Sequence, residues 1–126
     1  QNNSWQTTKK YTKQTTNATP TLINTLDVIS EGASKIAGTI EVFAIAENGS
    51  NEARVFRKVI AFRWNGSALV ANLKDHFTTE GDTDAAMSTA TLTISTTSSG
   101  IRFIATGIAA TTIDWTVKLK LTAETW

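Results

Sequence analysis

The chain offers few side chains that could carry catalysis. Its one histidine, His76, follows Asp75, and the two could form an acid–base pair. Cysteine is absent, which excludes disulfides, thiolate zinc sites and cysteine nucleophiles. Catalytic triads and paired-imidazole metal sites need more than a single histidine. We therefore interpret His76 as an exposed loop residue and predict that the protein is not an enzyme.

Carboxylates are the next candidates for chemistry. Glu80, Asp82 and Asp84 alternate in a glycine-containing segment and could supply some of the six to eight oxygens that calcium requires. The segment lacks the full twelve-residue loop pattern, so we interpret it as a solvated loop and predict no metal and no cofactor. Glycoside hydrolysis needs two facing carboxylates. Nothing in the sequence marks a pair among Asp27, Glu31, Glu41, Glu47, Asp114 and Glu124.

The aromatic side chains divide into two groups. Those in apolar strand patterns are predicted to lie in the core: Phe43, Phe62, Phe103 and Trp115. Those beside turns or among polar residues could contact a glycan or a neighbouring subunit: Trp5, Tyr11, Trp64 and Trp126. Exposed aromatic rings mark interfaces in general, and Trp64 could equally cap the core. Both alternatives stay open at the level of sequence.

Length and composition limit the class of protein. A chain of 126 residues suits one domain. A formal net charge of +1 gives no bulk attraction to nucleic acid or to an anionic membrane. The apolar runs are short and interrupted by charge, which excludes a transmembrane helix. The N-terminus lacks the apolar stretch of a signal peptide and a starting methionine, so we expect a fragment or a processed chain.

The elements that would position these residues are strands. Threonine, valine and isoleucine are abundant, and all three fit a pleated surface better than a helix. Residues 1–18 are polar and are predicted to form an N-terminal arm, linker or exchanged strand in which Trp5, Thr7, Lys9 and Tyr11 share one face. Residues 19–126 are predicted to form the folded domain.

Alternating apolar and polar residues predict about seven strands in that domain. They lie at 21–30, 35–47, 52–64, 67–74, 88–97, 101–110 and 113–124, with a longer connection at 76–87. Asn48-Gly49-Ser50-Asn51 indicates a turn, and Asn65-Gly66 is a strong hairpin signal. Short strands at this spacing predict an all-β, antiparallel β-sandwich of jelly-roll-like type.

Several segments, in this order, resemble a module of tailed-bacteriophage virion proteins. They are NATPT at 17–21, IEVFAIAENG at 40–49, FRWNGSALV at 62–70 and ATGIAATTIDWTVKL at 105–119. The most specific piece combines Gly107, Thr112, Ile113 and Trp115. The likeness covers residues 17–121 and implies a virion-associated, commonly homotrimeric β-sandwich that closes a tail fibre, tailspike or appendage. The motif is structural, so it brings no catalytic or ligand-binding residues with it.

The resemblance leads to a hypothesis about function. We predict a structural module of a bacteriophage virion, assembled in the host cytoplasm, that forms the terminal domain of a trimeric tail fibre, tailspike or head appendage and could bind host-surface glycan. One alternative is a capsid decoration or trimerisation domain without a ligand, and a more distant one is a fragment of a glycan depolymerase. The predicted partners are the chain itself and other virion proteins, without nucleic acid or membrane insertion.

The strand at 52–64 gives an independent hint of a trimer. Its second face carries Val55, Val59 and Ala61, which a two-layer sandwich would leave uncovered. A neighbouring subunit could cover them, with Arg57 and Arg63 at the rim, since arginine is enriched at interfaces. Loops of the same chain are the alternative cover.

Overall fold

The computed structural model describes residues 4–27, 35–67, 69, 75–97 and 100–125, with only the backbone for residues 5 and 75–82. It contains eight strands: β1 (Ser4–Thr15), β2 (Thr21–Asp27), β3 (Ile36–Asn48), β4 (Ala53–Trp64), β5 (Asp75–Thr83), β6 (Thr91–Thr96), β7 (Gly100–Thr106) and β8 (Ile113–Thr125). One short 3₁₀ helix, Ala85–Met87, precedes β6. No helix of the described part is long and apolar enough to cross a membrane.

The strands form two antiparallel sheets. The larger has the order β1-β8-β3-β4-β5 and the smaller has the order β2-β7-β6. Their facing sides share one hydrophobic core, and the chain crosses between the sheets four times, pairing its first strand with its last. The predicted all-β, antiparallel sandwich is therefore confirmed, with eight strands in the described residues instead of about seven.

Strict alternation on β8 fills the centre of the core. The inward residues of this strand are all buried, as its pattern predicts: Ile113, Trp115, Val117, Leu119 and Leu121. Trp115 is 1% exposed, and its ring stacks on Phe56 of β4 with centroids 6.1 Å apart. Phe62 and Phe103 are also buried, so these three predicted core aromatics are confirmed.

The polar N-terminal segment has a different role from the predicted arm. Residues 4–15 form β1, which pairs with β8 of the same chain over its whole length, from Ser4 opposite Glu124 to Thr15 opposite Ile113. Thr7, Lys9 and Tyr11 share the partly buried face, as predicted. The ring of Tyr11 packs on that of Phe103, with the two ring centroids 6.0 Å apart. The segment is polar because an edge strand exposes its other face and one backbone edge to water. The domain therefore begins before the predicted boundary at residues 18 and 19.

The predicted connection at 76–87 needs correction. Residues 75–83 form β5, which pairs with β4 across two irregularities in register, and not the predicted loop. The predicted return strand at 67–74 lies mostly outside the described residues. Leu69 of this segment forms a β-bridge with Trp64 and packs against the core. Gly66 between them has a φ of +99°, which agrees with the Asn-Gly turn signal.

A β-bulge changes which residues of β2 face the core. The register against β7 shifts between Leu22 and Asn24. Ile23 and Leu26 are consequently both buried, although they are three residues apart, and Leu22 is 40% exposed. The extra residue of the bulge interrupts the two-residue alternation of the strand, so Leu22 is exposed while Leu26, four residues later, is buried.

Asn48 closes the predicted turn between β3 and β4. Its Oδ1 accepts bonds from the backbone N–H of Ser50 at 2.9 Å and of Glu52 at 3.1 Å. Its backbone N–H donates to the Glu52 carbonyl at 2.9 Å, and Asn51 adopts a φ of +65°. The Asn48 side chain therefore accepts hydrogen bonds from two backbone N–H groups, those of Ser50 and Glu52, around the turn. The predicted turn is confirmed.

Two residues of the most specific sequence motif, Gly107 and Trp115, hold the end of β1 against the rest of the fold. The indole Nε1 of Trp115 donates to Oγ1 of buried Thr15 at 2.9 Å. Gly107 lies against the same threonine, so closely that a Cβ there would be 2.5 Å from Thr15 Oγ1 and 2.7 Å from the Asn17 carbonyl oxygen. The glycine is therefore needed for close approach, and the tryptophan holds the end of β1 on the sheet.

Candidate functional site

Most of the side chains that could take part in catalysis or metal binding are not described by the structure. Four of them belong to the part of β5, residues 75–82, of which only the backbone is described: Asp75, His76, Glu80 and Asp82. Asp84 follows it, and its Oδ2 accepts from the Ala53 backbone N–H at 2.8 Å while its own N–H donates to the Ala53 carbonyl at 3.0 Å. Asp84 therefore closes the β4–β5 edge and has a structural role.

Two of the other carboxylates are neighbours on the large sheet. Glu47 and Asp114 occupy directly opposite positions on β3 and β8, and both are exposed. Gln14 Nε2 donates to Asp114 Oδ1 at 2.9 Å, which holds this carboxylate against β1. Among the described side chains, no group of three or more His, Cys, Asp or Glu residues is placed to hold a metal ion.

The remaining carboxylates are dispersed. Glu124 is at the far end of β8, where it accepts from Ser4 Oγ at 3.2 Å. Asp27 ends β2 in the other sheet, and Glu41 lies on the exposed face of β3. Glu31 is outside the described residues.

The aromatic residues singled out as contact candidates are not gathered at one surface. Trp64 is only 4% exposed and belongs to the core cluster, which agrees with the alternative that it caps the core. Tyr11 is partly buried against Phe103. The side chains of Trp5 and Trp126 are outside the described set.

Phe43 is exposed, contrary to its predicted place in the core. It is 43% accessible, on the outer face of β3, while Val42 and Ala44 on either side of it are buried. The prediction is wrong because both faces of β3 are apolar near the strand centre, and alternation alone does not say which face is covered.

On the outer face of the large sheet, Phe43 lies among basic side chains of the neighbouring strands. Lys10 of β1 is opposite Lys118 of β8, and Lys118 is opposite Phe43 of β3. Lys120, two residues further along β8, is opposite Thr8 on one side and Glu41 on the other. We refer to Thr8, Lys10, Phe43, Lys118 and Lys120 as the basic patch. These residues line a shallow depression of about 510 Å³, with Glu41 and Arg57 also at its wall.

The patch has a simple geometry because its residues lie on three adjacent strands. Neighbouring strands are about 4.8 Å apart, so the row from Lys10 to Phe43 spans roughly 10 Å, and Lys120 lies about 7 Å along β8 from Lys118. Lys120 lies opposite the negative charge of Glu41 on β3, whereas Lys10 and Lys118 lie opposite each other and form a pair of like charges. Thr12 and Thr116 form the next row, so hydroxyl groups border the lysines.

A second surface lies on β4 of the same sheet. Val55, Val59 and Ala61 alternate with exposed Arg57 and Arg63 on the outer face, as predicted. We call the three apolar residues the β4 strip. Each is partly buried within the single chain.

Sequence reasoning identified the β4 strip and missed the basic patch. The alternation of β8 places Lys118 and Lys120 outward, but nothing in the sequence pairs Lys118 with Lys10, more than one hundred residues earlier. The only available signal was the lysine content of the N-terminal segment, and the interpretation of this segment as an arm removed it from the sheet.

Together, these features define a small antiparallel β-sandwich with a charged sheet face. Neither the protein-family models nor the curated proteins include a match to the chain. Among solved structures, it is similar to the tailspike protein of Acinetobacter phage vB_ApiP_P1, with a TM-score of 0.55 and 19% sequence identity. The similarity covers 89% of this chain and 20% of the tailspike, so the chain spans about a fifth of that protein's length. The fold of this chain is therefore one that also occurs within a phage tailspike.

Proposed function

We propose that the protein is a structural module of a bacteriophage virion, forming a terminal domain of a tail fibre, tailspike or related appendage. The observation that supports the proposal most directly is the fold, which nearly the whole chain shares with part of a phage tailspike. The sequence resemblance to phage modules points the same way and was found on different grounds. The module is proposed to act through assembly and attachment and to be non-catalytic.

The proposed assembly is a homotrimer. The β4 strip supports it, because a neighbouring subunit would cover Val55, Val59 and Ala61, with Arg57 between the two valines and Arg63 at the end of the strip. In a three-fold ring the contact joins two different surfaces of the chain. The β4 strip can serve as one of these and leave β1 and β8 accessible, because β3 separates β4 from β8.

Host attachment is a second candidate function, and the exposed Phe43 among lysines favours it over a domain that only assembles. The alternative of a capsid decoration or trimerisation domain predicts that this patch has no ligand. A depolymerase fragment would release reducing sugar from host polysaccharide, and loss of that activity on replacement of a single carboxylate would establish it.

Two measurements test the proposal. An electron-microscopy map of the phage particle, with an antibody fragment raised against this domain as a marker, is expected to show the domain at a tail fibre, tailspike or appendage. A location on the capsid shell would favour the decoration alternative. Light scattering of the purified domain at tens of micromolar is expected to give three chain masses. A monomer mass would contradict assembly through the β4 strip.

A control variant makes the light-scattering result specific. Val59→Lys places a charge in the β4 strip at a partly buried position of the outer face, and it is expected to give a folded monomer. Thr93→Lys, at an exposed position of β6 in the other sheet, is the matched charge addition and is expected to remain trimeric. Equal effects of the two variants would show that the strip is not the contact.

A further inference from the structure

We propose that the basic patch binds an acidic polysaccharide, with Phe43 under the face of a sugar ring and Lys10 and Lys118 paired with carboxylates of the chain. The inference deepens the attachment role proposed above and rests on it for the origin of the ligand. It names the place on the fold, the residues and the chemical class.

The first argument is the coincidence of two unfavourable features. Like charges directly opposite on neighbouring strands destabilise a sheet, and Lys10 faces Lys118 in this way. A single exposed phenylalanine is ordinary, but here it is the next residue on the same row. Departures from local stability rules are expected to coincide where a surface is kept for binding.

A comparison within the same sheet strengthens this argument. Glu47 and Asp114 are also like charges in opposite positions. There, Gln14 donates a hydrogen bond to Asp114, and the next residue on the β4 side is Ala53, so no aromatic ring accompanies the pair. The basic patch combines a like-charged pair with an exposed ring.

The second argument concerns the ligand. Two lysines next to each other attract anionic groups, and the lysine ammonium donates to carboxylate oxygens. The ring of Phe43 offers an apolar face about 5 Å from Lys118 across the strands. The threonines at positions 8, 12 and 116 add hydroxyls that both donate and accept. Carboxylates, hydroxyl groups and apolar C–H faces occur together in polymers of uronic acids.

Other occupants fit less well. Nucleic acid recognition relies on an extended basic surface and many phosphate contacts, whereas this patch is short, with three lysines bordered by Arg57 and by the opposite charge of Glu41, in a chain of net charge +1. A second copy bound symmetrically would bring the lysines of both patches together. The carboxylates of an acidic peptide would pair with the lysines, but such a peptide offers few hydroxyl groups to hydrogen-bond with the threonines at positions 8, 12 and 116.

The test uses the purified 126-residue chain and defined polymers. Biolayer interferometry on immobilised sodium polygalacturonate is expected to show binding that weakens steeply as NaCl rises from about 50 to 500 mM, since salt screens exposed charges. Dextran of similar length, which is neutral, is expected not to bind. Poly-glutamate and duplex DNA are the two other anionic probes, and both are expected to bind at least tenfold more weakly than polygalacturonate.

Matched variants connect the binding to the patch. Phe43→Ala is expected to weaken binding roughly tenfold, and Lys118→Gln roughly fivefold. Leu22→Ala removes the other large apolar side chain that is exposed among the described residues, on the opposite sheet, and Lys13→Gln removes an exposed charge from β1 on the face opposite to Lys10. Both controls are expected to bind like the unchanged chain, and the melting temperature of every variant confirms that it is folded.

The outcomes separate the two levels of the proposal. Equal binding of dextran, poly-glutamate or DNA, no binding of polygalacturonate, or equal losses in the Leu22 and Lys13 controls would overturn the assignment of an acidic-polysaccharide site. None of these results alters the trimer mass or the location on the particle, which test the virion role separately. A capsid location together with polygalacturonate binding would instead keep the site and remove the attachment role.

Discussion

Removal of the bond between Trp115 and Thr15 is the sharpest test of how this fold is held together. Thr15→Val keeps the shape of the side chain and removes the acceptor for the indole N–H, which is 2.9 Å away in a buried position. A buried donor left without a partner costs about 1–3 kcal/mol. We therefore expect Thr15→Val to lower the free energy of unfolding by about 2 kcal/mol.

A double-mutant cycle isolates the contribution of the bond. Trp115→Phe removes the N–H and part of the ring, so it carries an additional packing cost. Once the donor is absent, Thr15→Val no longer leaves it unsatisfied. The combined variant is therefore expected to lose about 1–2 kcal/mol less than the sum of the single changes.

Urea denaturation followed by circular dichroism is the appropriate assay, because tryptophan fluorescence changes with the variant itself. All variants are measured at one chain concentration, since assembly would stabilise the folded state by mass action. Thr15→Ser keeps the hydroxyl and serves as the control, with a smaller expected loss than Thr15→Val. Additivity of the two single changes within about 0.3 kcal/mol would refute the role given to this bond.

Further predictions concern the core, a buried arginine and metal binding. Trp115→Ala is expected to cost roughly 3–5 kcal/mol, and a loss below about 1 kcal/mol in chemical denaturation would contradict its central place in the core. Arg54→Met is expected to cost about 2 kcal/mol, because the Arg54 guanidinium donates to the carbonyls of Ser88 and Ala90 at 2.7 and 2.6 Å; an unchanged midpoint in urea would contradict this. Calcium is expected to leave the melting temperature unchanged, and a rise of several degrees that Asp82→Ala removes would reveal a site.

Some structural features were predictable because they depend on local chemistry. The alternation of β8 is strict, so its inward residues, Trp115 among them, could be assigned to the core from the sequence alone. The turn at 48–51 was also predictable, because its geometry is local: the Asn48 side chain accepts a hydrogen bond from the backbone of Ser50, and Asn51 adopts the positive φ that the turn requires. For the candidate site, the sequence indicated that Lys118 and Lys120 point outward and that β4 carries a second apolar face.

Pairings between distant segments were not predictable in the same way. The place of β1 beside β8 depends on contacts across more than one hundred residues, and the segment itself is as polar as a linker. Without that pairing, Lys10 and Lys118 could not be recognised as neighbours. The interpretation of 76–87 as a connection failed similarly, since the pairing of β5 is with β4 and is irregular.

The sequence by itself determined that this protein is an all-β sandwich, because residue preference and two-residue alternation are properties of each strand. Only the tertiary structure decided which face of a strand is covered. Phe43 is exposed because the core lies against the other face of β3, which carries Val42 and Ala44. Leu22 is exposed because a bulge shifts the register of β2 by one residue. Burial is assigned by the neighbouring sheet and by register, and a one-residue shift exchanges the two faces. The basic patch exists for the same reason, since three strands remote in sequence bring their outward residues into adjacent rows.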